Sequence, residues 1–330
     1  MAPATCRAFV APVLTDWVDL ADHAKNSSMN KEDHVAGNHL IKLTISFLCC
    51  LAVFAGSIFG QDGVPAPSDQ ATDKKPAAAV AEGDGEALRK AAQNPIASLI
   101  SFPLQNNTNF GIEPGSRTQD VLNIQPVIPI GVSTNWNMIV RWIIPIIWQP
   151  LPSEAPAPEV GKYGFGDMQP SFFFSPKKSG KLIWGAGPVI QLPTATDDYL
   201  GQGKLGVGPT FLALTQPGHW TIGALANNVW SVAGSGGRPD VNQLLLQYFL
   251  NYNLSKGWYL GTQPILTANW EATNGGRWVV PFGGGIGRVM RLGMQPIHVQ
   301  LGFYGNAVHP ANASAWSMRV MFVLLFPKKQ

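Results

Sequence analysis

The sequence predicts an all-β protein: a transmembrane, antiparallel up-and-down β-barrel of about 12 strands, preceded by a signal peptide and a disordered linker. Three observations carry this expectation. Only 13% of the 330 residues are charged, against about 25% in an ordinary soluble protein. The mean hydropathy of +0.05 fits apolar and polar residues that alternate and cancel. A bundle of membrane helices would need several apolar runs of roughly 20 residues, and one such run is present, near the N-terminus. Third, from Pro95 onward the chain alternates with period two in segments of roughly ten residues, the length a tilted membrane strand needs.

The N-terminal quarter is read as export machinery. Residues 43–59 (LTISFLCCLAVFAGSIF) are apolar and uncharged, follow Lys31 and Lys42, and precede small residues at Ala55, Gly56, Ser57 and Gly60. Basic start, apolar middle and small-residue end make a signal peptide, with cleavage expected between Ser57 and Gln61. An uncleaved helical anchor is the alternative, but the run is short for a span. Met29 is the expected true start, which makes residues 1–60 an upstream leader with the signal peptide. Residues 61–94, rich in Ala, Pro, Gly, Asp and Lys, read as a disordered periplasmic linker with too little apolar surface to pack. The cysteines, Cys6, Cys49 and Cys50, all precede the expected mature start. The exported part is therefore expected to hold no disulfide and no cysteine metal site.

The barrel is assigned to residues 95–330. Its strands are expected at 98–111, 120–131, 136–148, 165–175, 181–193, 204–215, 219–231, 242–253, 257–270, 277–289, 295–306 and 315–326. The second and third set the pattern. Leu122, Ile124, Pro126, Ile128 and Ile130 share one face, opposite Asn123, Gln125, Val127 and Pro129. After a turn at residues 133–135, Trp136, Met138, Val140, Trp142, Ile144, Ile146 and Trp148 share a face, opposite Asn137, Arg141 and Gln149. A face that is apolar throughout, with Trp at both ends, suits lipid between two aromatic belts. The eighth strand sets Leu246, Tyr248, Leu250 and Tyr252 against Gln247, Asn251 and Asn253. The eleventh sets Ile297, Val299, Leu301 and Phe303 against His298, Gln300, Tyr304 and Asn306. The last sets Trp316, Met318, Val320, Phe322, Leu324 and Phe326 against Ser317 and Arg319.

Short turns and longer links alternate, the asymmetry of outer-membrane barrels. The short turns carry Lys177, Lys178, Lys181, Lys256 and Arg291. The longer links carry Glu113, Glu154, Glu159, Asp197, Asp198, Asp240 and Glu271. An even strand count puts both termini on the periplasmic side of a Gram-negative outer membrane. Prolines inside expected strands (Pro126, Pro129, Pro145, Pro170, Pro188, Pro209, Pro264 and Pro281) oppose a regular ladder, since proline has no N–H to donate. The glycine-dense stretch 283–287 points to close backbone approach or a bend.

The stretches NPIASLISFPLQNNTNFGI and DVLNIQPVIPIGVSTNWNMIVRWIIPIIWQP resemble a group of bacterial outer-membrane proteins. These are often labelled transporters or relatives of the MetA-pathway phenol-degradation family, and are sometimes mislabelled neuromedin U. The resemblance covers residues 94–328. It implies a barrel and uptake of small molecules, and supplies no catalytic residues. One departure is at the end: Phe326 is followed by Pro327, Lys328, Lys329 and Gln330, where many such barrels end on an aromatic read by the barrel-assembly machinery.

The candidate functional residues are those expected to line the lumen: Asn107, Gln125, Arg141, Asp167, Gln169, Gln191, Gln263, Arg277, His298, Gln300 and Arg319. Arginines on a pore wall attract anions and polar solutes; paired with Asp167 and amides they would instead hold a plugged interior together. Eight strands leave a filled interior and sixteen an open channel, so a packed lumen and a narrow channel both remain open. The leading expectation is a channel or transporter for an unidentified small molecule, contacting outer-membrane lipid and lipopolysaccharide. A lipid hydrolase would need a Ser–His pair at the lipid-facing rim, and His298 is expected to face inward; a closed structural barrel is the third reading. No catalytic residue, metal or cofactor is assigned. The net charge of +3 provides no basic stripe for nucleic acid, and no helix follows Gly287 to make a phosphate loop.

Overall fold

Alternating side chains bury one face of each segment, and the described backbone is strands and their connections with almost no helix. The computed structural model describes residues 86–97, 99–151, 160–273 and 276–327. The expected leader, signal peptide and the linker up to residue 85 lie outside the described residues. Apart from Val160, the described residues belong to one compact unit, Asp69–Ala155 with Gly161–Gln330.

The barrel is closed, antiparallel and 12-stranded. β1 is Ile100–Ile112. β2 runs in two pieces, Arg117–Ile124 and Val127–Gly131; β3 in Trp136–Arg141 and Ile144–Pro150; β4 in Gly161–Phe165 and Ser171–Pro176. β5 is Leu182–Gln191, β6 Lys204–Thr215, β7 Trp220–Gly234 and β8 Asn242–Asn253. β9 is again divided, Trp258–Thr262 and Ile265–Asn269, followed by β10 (Trp278–Leu292), β11 (Gln295–Val308) and β12 (Trp316–Phe326). Each strand pairs with its neighbours in sequence, and β12 closes the ring on β1, from Ile100 opposite Phe326 to Phe110 opposite Trp316. The fourth strand begins earlier than the alternation suggested, because Gly161–Phe165 pairs with Ile146–Pro150 of β3.

Most faces fall as expected, although Val320 and Ile297, expected outward, are buried. On β12, Arg319, Val323 and Leu325 are buried and Trp316 and Phe326 exposed. On β8, Phe249, Asn251 and Asn253 are buried while Tyr248, Leu250 and Tyr252 are exposed. Outward aromatics gather in two girdles. At the short-turn end Trp136 meets Trp184 edge-on and Trp220 meets Tyr252; at the long-loop end Phe110 stacks on Trp316 with centroids 4.0 Å apart and Trp270 meets Trp278. Amphipathic rings at both ends of an apolar band match a membrane's two interfaces.

Four of the in-strand prolines, Pro126, Pro170, Pro264 and Pro281, have a structural account. Three neighbouring strands leave the ladder at similar height: β2 at residues 125–126, β3 at 142–143 and β4 at 166–170. Pro126 and Pro170 sit in these gaps, where a missing N–H removes no ladder bond. The carbonyls around them still work. Gln125 N–H donates to Pro103 O (2.9 Å), Trp142 N–H to Pro126 O (3.1 Å) and Ile190 N–H to Pro170 O (2.9 Å). Pro264 occupies the gap in β9, and Pro281 marks a register shift between β10 and β11. Pro188 and Pro209 face each other across β5 and β6.

The glycine stretch of β10 has a different cause. Tyr259 of β9 lies over Gly287, where an added Cβ would come within 2.3 Å of the ring and its hydroxyl. Glycine on the inner wall makes room for an aromatic laid flat against its neighbour.

Residues 86–92 form a short helix, α1, although residues 61–94 were expected to be linker. It packs at the short-turn end of the barrel. Arg89 Nη1 donates to Leu254 O (3.2 Å), Gln93 Nε2 to Asn253 Oδ1 (2.8 Å), Thr221 Oγ1 to Gln93 Oε1 (2.7 Å) and Gln216 Nε2 to Lys90 O (2.9 Å). Ile96 enters an apolar cluster with Val127, Ile139, Phe173, Leu212, Leu225 and Phe249. Those partners come from six strands, β2, β3, β4, β6, β7 and β8, so the segment after the helix reaches into the barrel interior.

Candidate functional site

Above Ile96 the inward side chains become polar and enclose a chamber of about 350 Å³. Its walls are built by the gaps in β2 to β4 and by the strands opposite. Gln125, Arg141, Gln169 and Gln191 supply amides and one cation; Ile147, Leu200, Leu225, Leu245 and Ile265 supply apolar surface. A smaller cavity of about 130 Å³ lies beside the helix segment, lined by Ala91, Asn94, Leu99, Gln263 and His298. Gln105, Gln125, Arg141, Leu225 and Gln247 line both, so Arg141 stands where the two meet.

The chamber's outer end is covered by the loop of residues 192–203. Leu200 is buried, and Leu200, Gly201 and Gln202 line the chamber. The Asp167 carboxylate holds the loop in place by accepting backbone N–H groups of Ala195 (3.1 Å) and Gln202 (2.6 Å). Thr194 Oγ1 accepts from Met168 N–H at 2.9 Å. Arg238, from the loop after β7, donates to the carbonyls of Asp198, Gly201 and Gln202. At the rim the N–H of Tyr199, and then the Lys162 ammonium, hold the Asp197 carboxyl below its usual value.

Arg141 Nη2 donates to Gln125 Oε1 at 2.6 Å, and no carboxylate among the described residues lies within ion-pair distance of it. Arg319 is more fully engaged. Its Nε donates to Asn107 Oδ1 (2.9 Å), its Nη1 to Gln263 O (2.7 Å), and its guanidinium lies 4.8 Å from the Tyr304 ring. It therefore bridges the inner wall from β12 to β9.

Of the residues named from sequence, Gln125, Arg141, Asp167, Gln169 and Gln191 meet in the chamber. Gln263 and His298 line the smaller cavity, and Asn107 holds Arg319. His298 is buried, with Nε2 2.6 Å from the Tyr259 hydroxyl. Gln300 faces inward but is buried, and both atoms of its amide lack a protein partner; it belongs to the wall, away from both cavities. Arg277 corrects the expectation. It is exposed in the turn before β10, 5.7 Å from the Trp270 ring, because the strand starts only at Trp278. Sequence reasoning missed Gln93, Ile96 and Leu200. A signal was present: inward positions near the short turns (Ile139, Phe173, Leu212, Leu214, Phe249 and Leu325) are apolar, and an apolar inner layer needs something to cover it.

No family model and no curated protein matches the chain in sequence. Among solved structures it is similar to an outer membrane channel from Pseudomonas putida F1, with 14% identity over 69% of this chain and 96% of that one, and a TM-score of 0.54. Fainter likenesses include the outer membrane phospholipase dimer of Salmonella typhi with bound calcium (11% identity, 73% of this chain and 97% of that one, TM-score 0.37). Another is the toluene transporter TodX of Pseudomonas putida (8% identity, 69% and 91%, TM-score 0.32). At these identities the likeness concerns the fold.

Proposed function

We propose that the chain is an outer-membrane β-barrel, with both termini periplasmic, that passes small molecules across the membrane. The observation that carries this is the chamber of about 350 Å³ on the inside of the barrel, with wet amides and a cation on its wall. A barrel with only a structural role has no need of such a space, and the smallest barrels fill theirs with side chains. The segment 86–97 covers the periplasmic end and the loop 192–203 the outer end, so the resting state is narrow and passage requires one cover to move. The outward girdles fit contact with outer-membrane lipid and lipopolysaccharide, and the barrel-assembly machinery is the expected partner in insertion.

Single-channel recording of the purified full-length protein in a planar bilayer tests this. The expected result is small, salt-dependent openings that favour anions, and a several-fold larger conductance in a variant lacking residues 86–97. Silence from both proteins, each folded and heat-modifiable, would remove the channel reading.

A second reading is favoured by the side-by-side gaps in β2, β3 and β4. Gln125, Ile143, Gln169 and Ser171, at or beside those gaps, also line the chamber. The ladder there is irregular, crossed by single bonds such as Trp142 N–H to Pro126 O and by the Ile143–Gln169 exchange, and such a distorted stretch offers an apolar solute a sideways route between chamber and lipid. Engineered disulfides across β2–β3 would separate the two: block of apolar uptake with unchanged ion current supports the sideways route.

A further inference from the structure

We infer that the chamber is a binding site for a small monocarboxylate with an apolar body, its carboxylate held by Arg141. The inference rests on the channel reading and adds the chemical class of the cargo.

Arg141 is the chamber's one guanidinium among the described residues. It makes a single protein hydrogen bond, to the Gln125 side-chain oxygen, and a guanidinium carries five N–H donors in a fixed fork. No described carboxylate neutralises it. The one acid on the chamber wall, Asp167, spends its two oxygens on the backbone N–H groups of Ala195 and Gln202. Arg319, a buried cation elsewhere on the inner wall, differs: Asn107, the Gln263 carbonyl and the Tyr304 ring surround it. A charge taken out of bulk water without a partner is costly, so Arg141 leaves a place for an anion. A planar carboxylate matches its fork at two points.

The rest of the wall sets the body of the ligand. Ile147, Leu200, Leu225, Leu245 and Ile265 line the same space, and an inorganic anion would leave that surface wet. The volume is near the lower end of small-molecule sites and suits a single ring or a short chain.

Three probes resolve the terms: acetate carries the head, benzyl alcohol the body, and benzoate both. Titration calorimetry on the purified full-length protein is expected to show benzoate binding at least tenfold tighter than either of the others. Arg141→Gln should lower benzoate affinity at least tenfold and leave benzyl alcohol unchanged, while Arg141→Lys falls between. If Arg141→Gln fails to fold, Leu245→Asn keeps the test: the ratio of benzoate to acetate affinity should drop. Equal affinity for benzoate and benzyl alcohol, or unaltered benzoate binding in Arg141→Gln, overturns the inference. Equal affinity for acetate and benzoate reduces the site to a simple anion site and overturns it as well. A conducting barrel that binds none of the probes overturns the inference and leaves the channel standing. Benzoate binding by a barrel that never conducts keeps the site and removes the channel.

Discussion

Tyr259 is fully buried and lies over Gly287, leaving no room for even a methyl group there. Gly287→Ala is therefore expected to destabilise the barrel by about 1–3 kcal/mol, the usual range for overpacking, read as a lower heat-modification temperature. The outward face obeys a different constraint. Val140 and Phe322 stand in the apolar band, and Val140→Lys or Phe322→Arg should cost about 2–4 kcal/mol near the bilayer midplane. Neither variant should reach the outer membrane as a heat-modifiable barrel. Asn123→Asp, on the wet chamber wall, should assemble normally; equal assembly of all three would sink the register. Gln300, whose lumen position alone suggests tolerance, sits instead in a buried wall with its amide unpartnered. Parity of position reports which way a side chain points, but burial depends on which neighbours lean over it, and that is not periodic.

At the scale of elements, strands were legible because each repeats one rule, lipid on one side and lumen on the other. Eleven turns of that rule placed β6 and β8 at their observed bounds, Lys204–Thr215 and Asn242–Asn253. The gaps were not legible. A proline in a strand says that one donor is missing, and whether the ladder bulges, shifts or parts there depends on the strands beside it. Pro188 and Pro209 stay inside regular strands while Pro126 and Pro170 fall in gaps. The docking of helix α1 was hidden for a related reason: a short helix is readable in AVAEGDGEALRKAAQ, but its few apolar residues look insufficient until the barrel's apolar inner layer is set against them. The outer loop is an element with its own test. Arg238→Ala removes three carbonyl contacts on residues 198–202 and should raise protease cleavage within 192–203 several-fold. Acidification should do less. Asp197 has a depressed pKa, so its contribution is present above the ordinary carboxylate value of about 3.9 and is lost only as pH falls through the lower, folded-state value. Cleavage of the unmodified loop should be the same at pH 7 and pH 5.

For the whole molecule the consequence is selectivity. Arg141 and Arg319, like the buried Arg117 near the long loops, lack a carboxylate within ion-pair distance among the described residues, and a low-dielectric wall strengthens their field. Reversal potentials in a salt gradient should show anion preference. Arg141→Gln together with Arg319→Gln should abolish it, and a preference unchanged in that double variant would place the selectivity elsewhere. Summed charge offers little hint of this. The net charge of +3 sums the whole chain, leader included, and the interior balance depends on Asp167 being occupied by a loop that the alternation does not describe.

The seam between β1 and β12 joins the first strand of the barrel to the last, and α1 is tethered just ahead of β1. Ile96 docks on side chains from β4, β6, β7 and β8, which are in place only after two-thirds of the sheet exists. Once the seam has zipped, entry from the side is shut. A segment that docks on the concave face before the edges meet is expected to hasten closure, so deleting residues 86–97 should slow barrel refolding while leaving the β1–β12 seam able to form.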